Sequence, residues 1–196
     1  MPAKNGTGGA QFLKRLRFKK RSRFFMRAAM ARDSAEEESK TMRYWLMKSE
    51  PDEVSFDDVL ASPRQTTPWF GVRNYQARNF MRDQMQPGDG VLFYHSSCAV
   101  PGVAGIAEVV SAPYPDESQF DQASKYFDPK ATREQPRWTS IDVKGVEQGR
   151  YLPLTEMRGV PALEDMVLLR KGSRLSISPV TPDEWKAVLK LVRAKR

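Results

Sequence analysis

The chain holds one cysteine and one histidine among its 196 residues. Cys98 alone cannot close an internal disulfide, and a free thiol fits a reducing compartment. His95 without a Cys/His cluster excludes a zinc site of the usual kind, so no metal is expected. A serine nucleophile at Ser96 or Ser97 would need His95 as its base, but neighbours on one strand point to opposite faces. The imidazole is therefore expected to pack or hydrogen-bond. No apolar run reaches membrane-spanning length, so a soluble chain with no membrane partner is expected. There is no βαβ repeat, and Gly88-Asp89-Gly90 lacks the strand-to-helix setting of a dinucleotide fingerprint. No cofactor is expected.

Acidic residues are missing altogether from residues 1–32. Residues 1–41 carry 11 Lys/Arg against 4 Asp/Glu, which leaves the other 155 residues nearly neutral, with 21 bases and 20 acids. The formal charge of +8 thus belongs to the N-terminal stretch and says little about what a folded domain binds. Residues 1–41 are expected to be a disordered basic extension. An organelle transit peptide, a nuclear address, a nucleic-acid arm and an upstream start before Met42 all fit it. The domain proper is expected at residues 42–196. A cytoplasmic location follows, or a nuclear or organellar one if the extension is a targeting segment.

What the sequence does have is concentrated in residues 68–82. Pro68 and Gly71 flank Trp69, which places that indole on a loop. Asn74 is a good helix N-cap. Ala77, Phe80, Met81 and Met85 then recur at helical spacing as one apolar face. Tyr75, Arg78, Asn79 and Arg82 lie opposite. Arg78 and Arg82 repel slightly on an isolated helix and call for an anion, an acidic neighbour or solvent. The free N–H groups at the helix start suit anionic or acceptor atoms.

The remaining pattern is one of short strands interleaved with short helices. Residues 43–47 and 91–94 read as buried strands. Pro51 ends the first, and Ser55 caps a helix through Phe56, Val59 and Leu60. Residues 103–110 form a strand whose Ala and Gly content suits a tightly curved sheet. Residues 111–137 show little periodicity and suggest a functional loop. From Trp138 to Val146 the pattern alternates, with Trp138 on the polar side. Residues 174–180 alternate again before Thr181, Pro182 and Glu184 open a capped helix with Trp185, Val188, Leu189 and Val192 inward.

Several of these segments together resemble one family. Tyr44-Trp45-Leu46-Met47-Lys48-Ser49-Glu50-Pro51, Trp69 through Asn79, and Tyr94-His95-Ser96-Ser97 are similar to the signature segments of EVE domains, in the PUA-like superfamily. Tyr114-Pro115-Asp116, Phe120-Asp121, Tyr126-Phe127-Asp128-Pro129-Lys130, Trp138 and Ser178-Pro179-Val180 continue the likeness to the C-terminus. The resemblance implies an α+β fold, a curved mixed β-barrel flanked by short helices, carrying a pocket for nucleobases, notably modified cytosines in DNA, with RNA also open. A monomer is favoured.

On that reading Trp69 and Trp138 are aromatic walls. Ser49, Asn74, His95, Ser96 and Ser97 read base edges, while Lys48, Arg73, Arg78 and Arg82 meet acceptors or phosphates, the last two as phosphate contacts. Glu50, Tyr75, Asp128, Ser178 and Pro179 complete the implied set, and Phe70 has no assigned role. Two alternatives stand beside it. One is an enzyme with Glu50 or Asp128 as acid or base on a nucleoside-like ligand, recognisable by a carboxyl of raised pKa in the pocket. The other is a protein-interaction module with no pocket and an exposed apolar patch.

Overall fold

The structure is a computed structural model, and it describes residues 42–194; the N-terminal basic stretch lies outside the described residues. Among the described residues eight strands form one mixed sheet, six of them in the order β2-β6-β4-β3-β1-β8. They are β1 (Tyr44–Ser49), β2 (Thr66–Trp69), β3 (Gly90–His95), β4 (Gly102–Val109), β5 (Tyr114–Pro115), β6 (Thr139–Glu147), β7 (Leu152–Pro153) and β8 (Ile177–Val180). The short β5 pairs with β6 and the short β7 with β4. β1 and β3 run parallel, from Tyr44 opposite Gly90 to Ser49 opposite His95. The other pairings are antiparallel. Register shifts at Phe93/Tyr94 and Ile106/Ala107 bend the centre of the sheet, as bulges do.

β1 and β3 are continuous apolar runs because both their faces are covered. Trp45, Met47 and Phe93 point into one core with Phe56, Val59, Trp69, Met81, Ile141 and Val143. Leu46, Leu92 and Tyr94 point into the other with Val103, Leu152, Met157, Leu163, Val188 and Val192. Gly105 is required by this packing, because a Cβ there would lie 2.0 Å from the Phe56 ring. The entry to β3 is fixed by Asp89, which is fully buried. Its carboxylate accepts from the Arg43 N–H (3.1 Å), the Trp45 Nε1–H (2.9 Å) and the Gln86 N–H (3.1 Å).

Among the described residues four α-helices flank the sheet: α1 (Phe56–Ala61), α2 (Tyr75–Asp83), α3 (Leu154–Met157) and α4 (Pro182–Arg193). α1 and α4 open with capping boxes, Ser55 with Asp58 and Thr181 with Glu184, each tying up otherwise orphan donors. α2 is capped by Asn74, whose Oδ1 accepts from Gln76 N–H (2.9 Å) and Ala77 N–H (3.1 Å). Ala77 and Met81 are its buried face, as the periodicity predicts.

Trp69 corrects the sequence expectation of a loop. It ends β2, paired with Ile141, and is 7% exposed, with its ring edge-on to Phe93 at 5.3 Å. Pro68 is tolerated because β2 is an edge strand, where a missing N–H donor faces away from the ladder. The last strand is shorter than expected, beginning at Ile177 rather than Arg174.

Candidate nucleic-acid interface

The parallel pair β1–β3 brings two chain segments out at one edge of the sheet. The Ser96 N–H donates to the Ser49 carbonyl at 2.8 Å, and the Lys48 N–H to the Ser176 carbonyl at 2.8 Å. A cavity of about 380 Å³ opens there. Lys48, Ser49, Glu50, Trp69, Arg73, Asn74 and Ser96, seven of the residues named from sequence, line it. Arg174, Ser176, Glu53, Thr67, Phe70 and Tyr126 also line it, and sequence reasoning missed them. The distances along the chain are large, and nothing in the local pattern of residues 174–176 marks them.

The polar groups in the cavity are arranged by function. The Ser49 hydroxyl donates to the Val54 carbonyl at 2.6 Å, and the Ser96 hydroxyl to the Ser49 carbonyl at 3.3 Å. With their hydrogens committed, both oxygens are left as acceptors. Asn74 has its Oδ1 committed to the helix start, which leaves its amide NH₂ to donate. Lys48 makes no ion pair among the described residues, and burial lowers the pKa of its ammonium. Acceptors and donors in one cavity suit a flat heterocycle with both kinds of edge.

Arg73 is not free to meet a phosphate. Its Nε–H and one Nη–H donate to the Tyr126 carbonyl, and its other contacts are Asp116 Oδ2 (2.8 Å), Ser118 Oγ (3.0 Å) and the Val72 carbonyl. Asp116 is 1% exposed. Burial alone would raise its pKa, but hydrogen bonds from Ser118, Arg73 and the Gly71 N–H outweigh that and hold the carboxyl below its usual range. Arg73 and Asp116 together therefore bind the 111–137 loop to the edge of the cavity.

Trp138 is a support behind that loop and does not line the cavity. It is 6% exposed, its Nε1–H donates to Asp128 Oδ2 at 2.7 Å, and Tyr75 stacks on it at 4.9 Å. Arg78 lies over Tyr75 at 4.8 Å and donates to the Arg137 carbonyl and to Asn79. Tyr75, Arg78, Asp128 and Trp138 thus form one scaffold outside the cavity. Arg82 is exposed and paired with Asp83 at 2.7 Å. Ser178 and Pro179 sit within β8, opposite Leu46 and Trp45, and also fall outside the cavity.

His95 turns the other way. Its Nε2 accepts from the Phe56 N–H at 3.1 Å, capping α1. The ring faces a second cavity of about 400 Å³ with Asp57, Gln148 and Tyr151. Burial lowers its pKa below 6.5, against the upward pull of Asp57 and Asp58. Ser97, at φ +55, donates to Glu50 Oε1 at 3.1 Å and braces the rim. Asp128 is kept ionised by hydrogen bonds from the Lys130 N–H and the Trp138 indole and by nearby Arg137 and Arg73. That is the reverse of what a general acid needs, and Asp128 does not reach the cavity. No cluster of metal-ligating side chains occurs among the described residues, and none of their helices is long and apolar enough to cross a membrane.

A sequence model of the EVE domain matches residues 43–191. The chain belongs to the EVE domain family. Chicken thymocyte nuclear protein 1 is 43% identical over 183 residues, covering 83% of this chain and 74% of that protein. Among solved structures, a Pseudomonas syringae protein is 48% identical, with a TM-score of 0.72 over 76% of this chain and 98% of its own. The human THYN1 protein, in complex with 5-methylcytosine-containing DNA, is 40% identical, with a TM-score of 0.73 over 79% of this chain and 99% of its own. The fold is accordingly the α+β, PUA-like one, a curved mixed sheet with short helices.

Proposed function

We propose that this EVE domain is a non-catalytic reader of modified bases in DNA, which receives one extruded cytosine in the 380 Å³ cavity. The observation that carries the reading is the division of the cavity into acceptor hydroxyls, Ser49 and Ser96, and free donors, Lys48 and Asn74. Cytosine presents an amino group beside a ring nitrogen and a carbonyl, which is the complement of that division. The volume lies at the lower end of the ~300–1,000 Å³ of small-ligand sites, and one edge of Trp69 supplies an apolar boundary. The human relative's complex with 5-methylcytosine DNA supports DNA over RNA. Phosphates flanking the base would be met by Arg174 at the cavity and by exposed Arg82 on α2.

Extruding a base costs a few kcal/mol, so the cavity must return that much. Burial of one methyl contributes only about 0.8 kcal/mol, roughly a fourfold preference. Polar substituents that Lys48 or the serines engage give larger ratios, because an unfilled polar site leaves partners unpaired. The test is a titration of matched duplexes with cytosine, 5-methylcytosine or 5-hydroxymethylcytosine at one position. The expected order is plain, then methyl, then hydroxymethyl, with Lys48→Met compressing all three toward one weak affinity. Equal affinity of the wild type for every duplex would overturn the reading.

A further inference from the structure

Seven large hydrophobic side chains stand exposed among the described residues, and of these Phe70 alone lines the cavity. It is 41% exposed and belongs to neither core. A single exposed Phe is ordinary; its seat is not. Trp69, just before it, is buried and locked into the β2–β6 ladder. Gly71, just after it, donates its N–H to buried Asp116 at 2.9 Å. Gly71 has φ +78, and a Cβ there would lie 2.6 Å from the Tyr126 ring. Tyr126 therefore packs directly on the backbone behind Phe70. Its own ring meets that of Phe70 edge-on at 6.0 Å, and its hydroxyl is held by both Glu53 oxygens at 2.7 and 2.8 Å. An apolar ring at the mouth of the cavity is thus fixed on both chain sides and buttressed from behind.

Resting on the base-reader reading above, we propose that Phe70 is the wedge that enters the DNA stack as the cytosine leaves it. An extruded base leaves a gap between its neighbours, and an apolar ring in that gap restores stacking on both sides. The cavity binds the base; Phe70 stabilises the duplex that has lost it. The two contributions separate cleanly, because a single strand has no such gap and little extrusion cost.

The experiment measures the affinity of the full chain, by fluorescence anisotropy, for a duplex carrying one 5-methylcytosine, for the same modified strand alone, and for the plain-cytosine counterpart of each. Phe70→Ala is expected to weaken duplex binding by roughly five- to hundredfold, the size of one aromatic–base stack. Single-strand binding should fall clearly less than duplex binding, and Phe70→Trp should restore the duplex affinity. Thermal melting confirms that the exposed site leaves the fold intact. Equal losses on both substrates would make Phe70 a cavity wall, and no loss on either would leave it idle; both results overturn the wedge alone. A wild type that ignores the methyl group on both substrates would overturn the reader and the wedge with it.

Discussion

Asp116→Ala is the sharpest test of how the cavity edge is built. The carboxylate accepts four hydrogen bonds: Oδ1 from the Ser118 N–H (2.9 Å) and hydroxyl (2.6 Å), Oδ2 from the Gly71 N–H (2.9 Å) and Arg73 Nη1 (2.8 Å). Removing one partner of a buried pair costs about 3–5 kcal/mol, chiefly through the charge left behind. Arg73 keeps 22% of its side chain exposed, so water relieves part of that, and the lower end, about 3 kcal/mol, is expected. For a domain of this size that is a fall of roughly 6–12 °C in Tm. Arg73→Met in the Asp116→Ala background should cost less than it does alone, with a coupling of about 1–2 kcal/mol. Urea denaturation of the four members of the cycle supplies these values. The linkage has a definite sign. The folded carboxyl has a lowered pKa, so its contribution is complete above the unfolded value near 3.8 and is lost as pH falls through the folded value. Asp116→Ala should therefore be less acid-sensitive than the wild type. A loss under about 1 kcal/mol, or strict additivity with Arg73→Met, would refute the tether.

Two further outcomes follow from the geometry. Trp138→Phe removes the indole donor to Asp128 and should cost about 1–2 kcal/mol in urea denaturation, while the ratio of modified to plain cytosine affinities stays unchanged; a lost ratio would return Trp138 to the binding wall. His95 has a lowered pKa, so its neutral form stabilises the fold fully above pH 6.5, and stability should fall as pH drops below that through the folded value. Denaturation midpoints between pH 7.5 and 5 should show this slope flattened in His95→Gln.

Helix positions were legible in the sequence because caps are local: Ser55, Asn74 and Thr181 each bond within three residues. Buried strands were legible from their apolar runs. The roles of the two tryptophans were not, because burial depends on partners distant in sequence. Trp69 meets Phe93, and Trp138 is covered by Tyr75 from another element. A substitution to alanine at either is therefore a core truncation, costing about 3–5 kcal/mol, and not a clean removal of a binding wall. The 111–137 stretch looked structureless because its order comes from two buried polar side chains, Asp116 and Gln119. Gln119 donates to the Asp116 and Trp138 carbonyls and accepts from the Arg137 and Trp138 N–H groups. The cavity itself was legible where the family's segments supplied it, at Lys48 through Glu50 and Trp69 through Asn74, and was blank at Arg174 and Ser176.

The parallel pairing of β1 with β3 has a consequence for how such a domain can change its ligand. Parallel neighbours deliver their C-terminal ends to the same edge, and there the backbone at the cavity is tied by main-chain hydrogen bonds, Ser96 to Ser49 across the parallel pair and Lys48 to Ser176 on the β8 side. Main-chain bonds are indifferent to side-chain identity. The positions proposed to read a base at the ends of these strands, Ser49 and Ser96, are partly exposed and lie outside both cores. On the proposed reading, exchanging them would alter what the cavity recognises without repacking what supports it. Recognition and folding would then rest on different residues of the same strands, so the one could be rewritten while the other is kept.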